Sequence, residues 1–467
     1  MPRDDHIDKP YLPNRKDFHL GKGTVMKSLM KRVFAAAAAI ATVFGLAATT
    51  VATANAADNA TLTVSTTDAK FAGKTVNAYK MFSATVSGDG KAVSYTLTDE
   101  WKPFFKNSVG LTGVTDENVN DKANDYVSKL KDSTLVAFAT KASNWAQTKA
   151  NNITADATAT VSADASNGKY TATFTGLGYG YYVVAVPGAT LANAKSQYAT
   201  LVSVHSTKVD ADIKGDLPTV DKKVQVDGTG KDATDAKIGD TLTFTLTSTI
   251  PDMSAYDTYT FNFKDTLSKG LTFGQVKSVK VENVTLTENT DYTVTTPTAS
   301  NNNTLTVAMK DFKTKQQANA GKKITVTYTA TLNENAVVGG AGNVNSAKIQ
   351  YSNNPSTNGT GESEPSKVRV FTYGFTVDKY TGDQYTDAAT RLAGAEFTLA
   401  HKDGSAISFV QVSAGSATAN AVYRVAKAGE TGTTTITTPA NGKVVFEGLE
   451  NGEYTLTETK APAGYNK

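Results

Sequence analysis

The sequence predicts a mainly β protein made of three sandwich modules joined end to end, with one short helical stretch in the first module. Threonine and apolar residues alternate over long stretches, as in residues 241–246 and 324–328. A period of two is typical of half-buried antiparallel strands. The chain has 467 residues, more than one ordinary domain needs, and its 40% apolar and 19% charged residues are typical of a folded chain.

The first 56 residues predict export and contribute nothing to the fold. Met26 and three basic residues precede an apolar stretch at residues 33–48 and a small-residue cleavage site at residues 54–56. That stretch is shorter than the roughly 20 residues needed to span a bilayer. We interpret Met26 as the true initiator, the segment before it as a mis-assigned start, and Ala57 as the first residue of the mature, secreted protein.

Composition excludes several classes of chemistry. The chain has no cysteine, which removes disulfides, thiolate metal sites and cysteine nucleophiles.

The net charge is +3, and because the first 56 residues hold eight basic and four acidic side chains, the remainder carries −1. Nucleic acid is therefore not expected as a partner. The four histidines are scattered, and no metal or cofactor is expected. They are His6, His19, His205 and His401.

The chain divides into a first module at residues 57–216, a middle module at 217–370 and a third module at 371–467. In the first module, apolar residues recur at helical spacing from Leu135 to Trp145 and predict a helix capped by Asp132 or Ser133. The middle module consists of alternating strands. The third opens with Tyr373, Phe375 and Val377 in phase on one strand face.

An internal repeat links the first and third modules. Residues 174–182 and 446–454 both place Phe, Gly, Leu, Gly and Tyr at the same five positions. The pattern is typical of a strand, a glycine turn and a returning strand.

Three polar side chains of the middle module fall in phase with apolar rows. Residues two apart share a strand face, so a lysine, an acid and a carboxamide point toward the core with their apolar neighbours. Each one alone is more often a strand-end residue that reaches solvent. The three are Lys222 in the row 220–226, Asp265 in the row 259–265 and Asn345 in the row 345–351.

This arrangement predicts an internal isopeptide bond between Lys222 and Asn345. Burial favours the neutral forms of amine and acid, and a neutral amine is a nucleophile. A protonated Asp265 can hydrogen-bond the amide oxygen and shuttle protons while ammonia leaves. Treated like any crosslink, closing so long a loop contributes about 4–5 kcal/mol in the chain-entropy model.

The third module repeats this logic in part. Lys379 shares a face with Tyr373, Phe375 and Val377, and Glu458 shares a face with Tyr454. They are the predicted lysine and acid of a second bond, whose amide partner is not identified because the sequence ends where a closing strand is expected. In the first module the repeat places Val186 where Glu458 stands, so no internal bond is expected there.

Residues 454–465, Tyr-Thr-Leu-Thr-Glu-Thr-Lys-Ala-Pro-Ala-Gly-Tyr, resemble the E-box of Gram-positive sortase-assembled pilins. With segments 265–271 and 345–355 and the signal peptide, the resemblance covers essentially the whole mature chain and is closest to major shaft pilins of actinobacterial and streptococcal fimbriae, as in bifidobacteria. It implies CnaA-like or CnaB-like immunoglobulin-type sandwiches. Lys222, Asp265 and Asn345 match its bond-forming triad, and Lys379 and Glu458 match the lysine and acid of its last domain.

The resemblance also implies polymerisation by a sortase, which joins a lysine near the end of the first domain to a sorting signal on the next subunit. Lys214 occupies the corresponding place, although no Tyr-Pro precedes it, and Lys208 is the competitor. No Leu-Pro-x-Thr-Gly signal is present, and we interpret the chain as truncated after the E-box. The implied partners are other pilin subunits, a pilus sortase and a host glycan or matrix ligand, at the cell wall.

Two other interpretations stay open. The chain is also compatible with a monomeric cell-wall adhesin whose sandwiches form a stalk and whose loops bind a ligand. A carbohydrate-active enzyme with sandwich accessory modules is the third possibility, although no motif supports a catalytic carboxylate pair. The structural subunit is favoured over any turnover enzyme, because each self-formed bond is made once.

Overall fold

A computed structural model describes residues 59–87, 92–189, 199–213, 216–254, 256–353, 359–383 and 390–466. The predicted signal peptide, the predicted start of the mature chain and Lys214 lie outside the described residues. The predicted fold class is confirmed: the chain is mainly β, and its long helices belong to the first module. Within the described ranges, no helix has the length and apolar character needed to cross a membrane.

The first module has three layers. A five-stranded sheet of order β3-β2-β6-β7, with β4 on β2, lies between a three-stranded sheet of order β5-β1-β8 and the helices. Its strands are β1 (Ala60–Thr66), β2 (Thr75–Val86), β3 (Val93–Leu97), β4 (Ala157–Thr160), β5 (Tyr170–Leu177), β6 (Gly180–Ala185), β7 (Ala199–Val204) and β8 (Lys208–Asp212). Its helices are α1 (Lys102–Asn107), α2 (Val119–Ser128) and α3 (Asp132–Gln147).

Strand β6 shows why the middle layer of this module is covered on both sides. All six of its residues are buried. Tyr182 packs with Phe174 against the small sheet, whereas Tyr181 packs with Trp101 and Phe104 from the helical layer. A strand with two apolar faces needs a partner layer on each, and the helices supply the second.

The helical part is larger than the sequence predicts. Helix α3 is the predicted one, but it begins at Asp132 with Lys131 as its N-cap, so neither Asp132 nor Ser133 caps it. The Lys131 N–H donates to Thr134 Oγ1 at 2.9 Å. Helices α1 and α2 were not predicted, because each is short and shows too few turns for its helical period to stand out.

The middle module is a sandwich of two sheets. Its six-stranded sheet has the order β10-β9-β12-β18-β14-β15, and its seven-stranded sheet has the order β11-β21-β19-β13-β17-β16, with β20 on β19. The elements are β9 (Asp221–Val226), β10 (Thr229–Lys231), β11 (Ala233–Asp235), β12 (Thr241–Thr249), β13 (Phe261–Leu267), β14 (Leu271–Val281), β15 (Val284–Thr285), β16 (Tyr292–Thr295), β17 (Thr304–Met309), α4 (Phe312–Gln316), β18 (Lys323–Leu332), β19 (Asn343–Ser352), β20 (Thr360–Glu362) and β21 (Ser366–Phe371).

The third module is a smaller sandwich. A four-stranded sheet of order β22-β27-β25-β24 packs on a three-stranded sheet of order β26-β23-β28 around Phe397, Leu399, Phe409 and Phe446. Its strands are β22 (Tyr373–Asp378), β23 (Glu396–His401), β24 (Phe409–Ser413), β25 (Ala421–Val425), β26 (Ile436–Thr437), β27 (Lys443–Leu449) and β28 (Tyr454–Lys460). Strands β22 and β28 each lie at the edge of their sheet.

The internal repeat forms the same corner in both modules. Gly176 and Gly448 have φ of 73° and 83°, a left-handed conformation that favours glycine. The hydroxyls of Tyr182 and Tyr454 each donate to the carbonyl oxygen four residues earlier at 2.7 Å. The two strands of each copy lie in different sheets and do not pair, so the repeat is a corner between sheets and not a hairpin.

Neighbouring modules contact each other directly. Ile238 of the middle module is buried in the core of the third module, and its N–H donates to the Gly448 carbonyl at 2.9 Å. Between the first and middle modules, Lys74 Nζ donates to the Glu362 carbonyl at 3.0 Å. The modules are therefore joined by packing and hydrogen bonds in addition to the chain.

Candidate functional site

Lys222, Asp265 and Asn345 are completely buried in the core of the middle module. Lys222 lies on β9 of the six-stranded sheet, whereas Asp265 and Asn345 lie on the paired strands β13 and β19 of the seven-stranded sheet. Asp265 stands opposite Ala347 and Asn345 opposite Leu267, which makes the acid and the carboxamide diagonal neighbours on one face. The period of two in the sequence therefore corresponds to the inward and outward side chains of these strands.

The three side chains meet at the hydroxyl of Tyr328, on β18 of the six-stranded sheet. Lys222 Nζ donates to Asp265 Oδ2 and to Tyr328 Oη, the latter at 2.8 Å. Asn345 Nδ2 donates to the same hydroxyl at 2.6 Å. The hydroxyl donates to Asp265 Oδ2 at 2.6 Å. The amine, the acid and the carboxamide therefore form one connected cluster.

The buried environment of this cluster disfavours the charged form of Lys222. Burial lowers the pKa of Lys222 to about 8, against the opposing effect of the Asp265 charge and hydrogen bond. Burial, followed by the charge of Asp265, raises the pKa of Tyr328 well above its usual value, so the phenol keeps its proton at neutral pH. A lysine with a lowered pKa gives up its proton to a neighbouring acid at a smaller cost.

Aromatic rings surround the amine. Nζ of Lys222 lies 4.9 Å from the centroid of the Phe244 ring and 5.1 Å from that of Tyr328. The two rings stack with centroids 5.4 Å apart. A site without solvent strengthens each electrostatic interaction inside it and makes an unpaired charge costly.

Two oxygens of the cluster are left without a hydrogen-bond partner in the described part of the chain. They are Asp265 Oδ1 and Asn345 Oδ1, both buried. A buried acceptor without a donor costs about 1–3 kcal/mol. A proton on Asp265 would convert one acceptor into a donor, which is the form that the predicted reaction needs.

The position of the cluster determines which elements the predicted bond would join. The sequence places Lys222 on the first strand of the module and Asn345 on a late one, and it predicts that the bond is loaded before a sheet ladder between these strands can separate; the structure corrects the shared ladder. Strands β9 and β19 belong to different sheets and share no ladder. A Lys222–Asn345 bond would instead cross the core and join the two sheets of the sandwich.

In the third module, Lys379 and Glu458 are also brought together. Lys379 Nζ lies 2.9 Å from Glu458 Oε1 and donates to Oε2 at 3.1 Å. Their side chains are 24% and 22% exposed, unlike the fully buried pair of the middle module. Tyr373 and Phe375, which share the predicted inward row, are 41% and 37% exposed because β22 is an edge strand.

Two segments of the chain match known families. Residues 238–355 match the Gram-positive pilin backbone subunit 2, Cna-B-like domain. Residues 383–467 match the prealbumin-like fold domain. A segment similar to a pilin backbone domain is therefore followed by a segment similar to a prealbumin-like domain. Asp265 and Asn345 lie within the first matched segment and Glu458 within the second, whereas Lys222 and Lys379 lie just before them.

One curated relative is a bacterial surface protein. The chain is 26% identical over 280 residues to the trypsin-resistant surface T6 protein of Streptococcus pyogenes serotype M6, covering 54% of this chain and 44% of that protein. The chain thus spans under half the length of this curated relative.

Two solved pilin structures align with most of the chain at low identity. The T6 backbone pilin of Streptococcus pyogenes is 20% identical, with 87% of this chain and 78% of that one covered at a TM-score of 0.47. The full-length major pilin SpaD from Corynebacterium diphtheriae is 22% identical, with 87% and 89% covered at a TM-score of 0.41.

Tyr328 is the residue of the pilin backbone domain that the sequence analysis missed. The signal for it was present, because Ile324, Val326 and Tyr328 alternate with threonines and share one strand face. A tyrosine in such a row is ordinarily a core residue with its hydroxyl at the edge. Its role depends on which strands face one another across the sandwich, and a period of two does not carry that information.

The remaining predicted site residues are not part of this cluster. Lys208 is exposed at the start of β8, where β8 pairs in parallel with β1. Its competitor Lys214 lies outside the described residues. In the part of the chain that the structure describes, no group of three or more His, Asp or Glu side chains is placed to hold a metal ion.

Proposed function

We propose that the chain is a structural subunit of a covalently polymerised cell-surface pilus, stabilised by a self-formed Lys222–Asn345 isopeptide bond. The observation that carries this proposal is the cluster of a buried amine, acid and carboxamide inside a segment that matches a pilin backbone domain. An unpaired ammonium in such a core costs several kcal/mol, and amide formation removes the charge.

In the proposed reaction, Lys222 first passes a proton to Asp265 along their hydrogen bond. The neutral amine then attacks Cγ of Asn345, and the acid stabilises the developing charge on the amide oxygen. The new C–N bond replaces the old one, and the amide nitrogen leaves as ammonia. Lys379 and Glu458 are proposed as the lysine and acid of a second bond in the third module.

The subunit is proposed to be exported by its signal peptide and joined to other subunits by a pilus sortase through Lys214, with Lys208 as the alternative. The proposed modules are residues 57–216, 217–370 and 371–467, which would follow one another along the pilus shaft at the cell wall. A host glycan or matrix protein is the proposed ligand of the assembled fibre.

Mass spectrometry of the purified chain tests the bond. We expect the chain to weigh one ammonia less than its sequence requires, and a digest to contain one crosslinked peptide with Lys222 and Asn345. The variants Lys222→Ala, Asp265→Ala and Asn345→Ala should each restore the full mass. The neighbouring Lys223 is partly exposed, so Lys223→Ala is the control that should keep the loss. A wild-type chain of full mass would refute the proposal.

A further inference from the structure

The hydroxyl of Tyr328 has contacts that packing alone does not require. It accepts from Lys222 Nζ at 2.8 Å and from Asn345 Nδ2 at 2.6 Å, and it donates to Asp265 Oδ2 at 2.6 Å. A phenol has one donor and two acceptor positions, and all three are used. It is in contact with the nucleophile, the acid and the leaving group of the proposed reaction at the same time.

We propose that Tyr328 is a catalytic residue of the isopeptide-forming reaction, which relays a proton from Asp265 to the departing amide nitrogen of Asn345. This inference rests on the proposed function and adds to it a fourth participant. It assigns the route by which the proton from Asp265 reaches the leaving group, since the hydrogen bond of Asn345 Nδ2 goes to Tyr328 and not to Asp265.

The path follows from the hydrogen bonds. Asp265 Oδ2 accepts hydrogen bonds from Lys222 Nζ and from the Tyr328 hydroxyl, and that hydroxyl accepts one from Asn345 Nδ2. The side chains are fully buried, so bulk water does not reach them. The hydroxyl is the group that connects the acid to the nitrogen that must leave.

The protons balance along this path. The ammonium of Lys222 carries three protons and the amide of Asn345 carries two. The first proton moves to Asp265, and the amine attacks Cγ of Asn345. In the tetrahedral intermediate Nδ2 gains a lone pair, and the hydroxyl turns from Asp265 toward it, which reverses both resting hydrogen bonds. A second proton leaves Nζ for the acid, while the acid gives its proton to Tyr328 and the phenol gives its own to Nδ2. The C–Nδ2 bond breaks, ammonia leaves with three protons, the new amide keeps one and Asp265 keeps one.

The phenol is suited to a relay because it remains neutral and fixed in place. Burial and the charge of Asp265 raise its pKa well above the usual value, so it does not ionise at rest and can release its proton only as it takes one from Asp265. Its ring stacks on Phe244 and lies 6.1 Å from the ring of Phe273. A relay needs its donor and acceptor within hydrogen-bond reach in the ground state, and both distances are 2.6 Å.

The test follows bond formation in time, starting from full chain that is recovered unfolded from inclusion bodies in urea and whose full mass shows that it has not yet reacted. The chain is refolded at neutral pH, samples are stopped in acid, and the bonded fraction is read from the loss of ammonia. For Tyr328→Phe we expect the rate to fall by about 100-fold, the lower end of general acid–base contributions. Tyr259→Phe is the matched control, since that hydroxyl is buried and has no hydrogen-bond partner among the described residues.

A second variant separates proton transfer from packing. Difluorotyrosine inserted at position 328 keeps the ring and the hydroxyl but has a more acidic phenol. We expect it to form the bond, at a rate that differs from the rate of the tyrosine chain. A rate equal to that of tyrosine would overturn the relay, and this comparison decides the matter also where Tyr328→Phe fails to refold.

The outcomes distinguish this inference from the proposed function. A wild-type chain that forms no bond would refute both the proposed isopeptide bond and the Tyr328 relay. A wild-type chain and a Tyr328→Phe chain that form the bond at the same rate remove Tyr328 from the reaction and leave the proposed function standing. A slow Tyr328→Phe chain beside an unaffected Tyr259→Phe chain supports the relay.

Discussion

Lys222 and Asp265 share one proton, and this shared proton determines how the cluster responds to pH. The ion pair and the neutral pair differ only in where that proton lies, so they hold the same number of protons. The reaction needs the neutral pair. The pKa of about 8 for Lys222 marks the point at which the proton leaves the pair altogether.

Bond formation is therefore expected to be insensitive to pH just below 8 and to slow above it. Above pH 8 the pair loses its proton, the acid can no longer donate, and the rate should fall about tenfold per pH unit. The other groups that face Lys222 are Tyr328, whose pKa is raised well above this range, and Asn345, which does not titrate. Refolding at pH 6.5, 7.5, 8.5 and 9.5 with mass detection gives the profile. A rate that increases through pH 8 would mean that the reaction uses the amine beside an ionised acid.

At the scale of single residues, much of the site was accessible from the sequence. Strand alternation predicts that Lys222, Asp265 and Asn345 face the core, and each is fully buried. Alternation could not distinguish Tyr328 from any other core aromatic residue. It also overestimated the burial of Phe375, because a period of two does not show that β22 lies at a sheet edge.

At the scale of elements, the two repeat corners differ in what surrounds their glycines. A Cβ on Gly176 would meet no atom within 4 Å, whereas one on Gly448 would lie 2.5 Å from Cδ1 of Ile238. Both positions have positive φ, where a residue with a side chain costs about 1–2 kcal/mol. Only the corner of the third module also holds a side chain from the neighbouring module.

We expect Gly448→Ala to destabilise the third module by more than Gly176→Ala destabilises the first. The backbone cost is common to both variants, and the collision with Ile238 is added only at Gly448. Limited proteolysis at increasing urea concentrations gives the urea midpoint at which each module unfolds, and these midpoints measure both effects. Adding Ile238→Ala to Gly448→Ala should recover part of the loss. Equal losses in the two glycine variants would contradict the role assigned to Ile238.

The elements themselves were predicted unevenly, for physical reasons. Long strands such as β12 and β18 could be predicted from the sequence, because their alternating pattern extends over nine and ten residues. Helices α1 and α2 are six and ten residues long, and helical periodicity needs more turns than that to be recognised. The repeat predicted two strands and a turn, but their assignment to separate sheets depends on pairing partners far away in sequence.

At the scale of the whole molecule, the location of Lys222 and Asn345 in opposite sheets determines how the middle module carries force. With the bond formed, tension applied at the two ends passes from residue 222 directly to residue 345. The segment between them, which spans 123 residue spacings (345 − 222), then carries no load.

Single-molecule pulling measures this shielding. The Asn345→Ala chain should release about 430 Å more contour length from the middle module than the wild-type chain, at about 3.5 Å per residue. Lys223→Ala should behave as wild type does, because that lysine lies outside the core. Full extension of the wild-type module would show that the two residues are not joined.

Assembly is the other property of the whole molecule, and it is tested in the cell of origin. Cell-wall extracts should contain a ladder of covalent multimers that disappears for Lys214→Ala and persists for Lys208→Ala. Lys208 is the comparison variant because it is the alternative linkage residue and its side chain is exposed at the start of β8. Loss of the ladder in Lys208→Ala alone would move the linkage to that residue.

The proposed link across the sandwich would give the polypeptide a closed covalent ring from residue 222 to residue 345. A protease that cuts one loop inside this ring opens it without producing two fragments, since the remaining arc still holds the pieces together. A nicked chain would migrate on a denaturing gel as one species of altered shape. Damage to a single loop would therefore leave the fibre unbroken at that subunit.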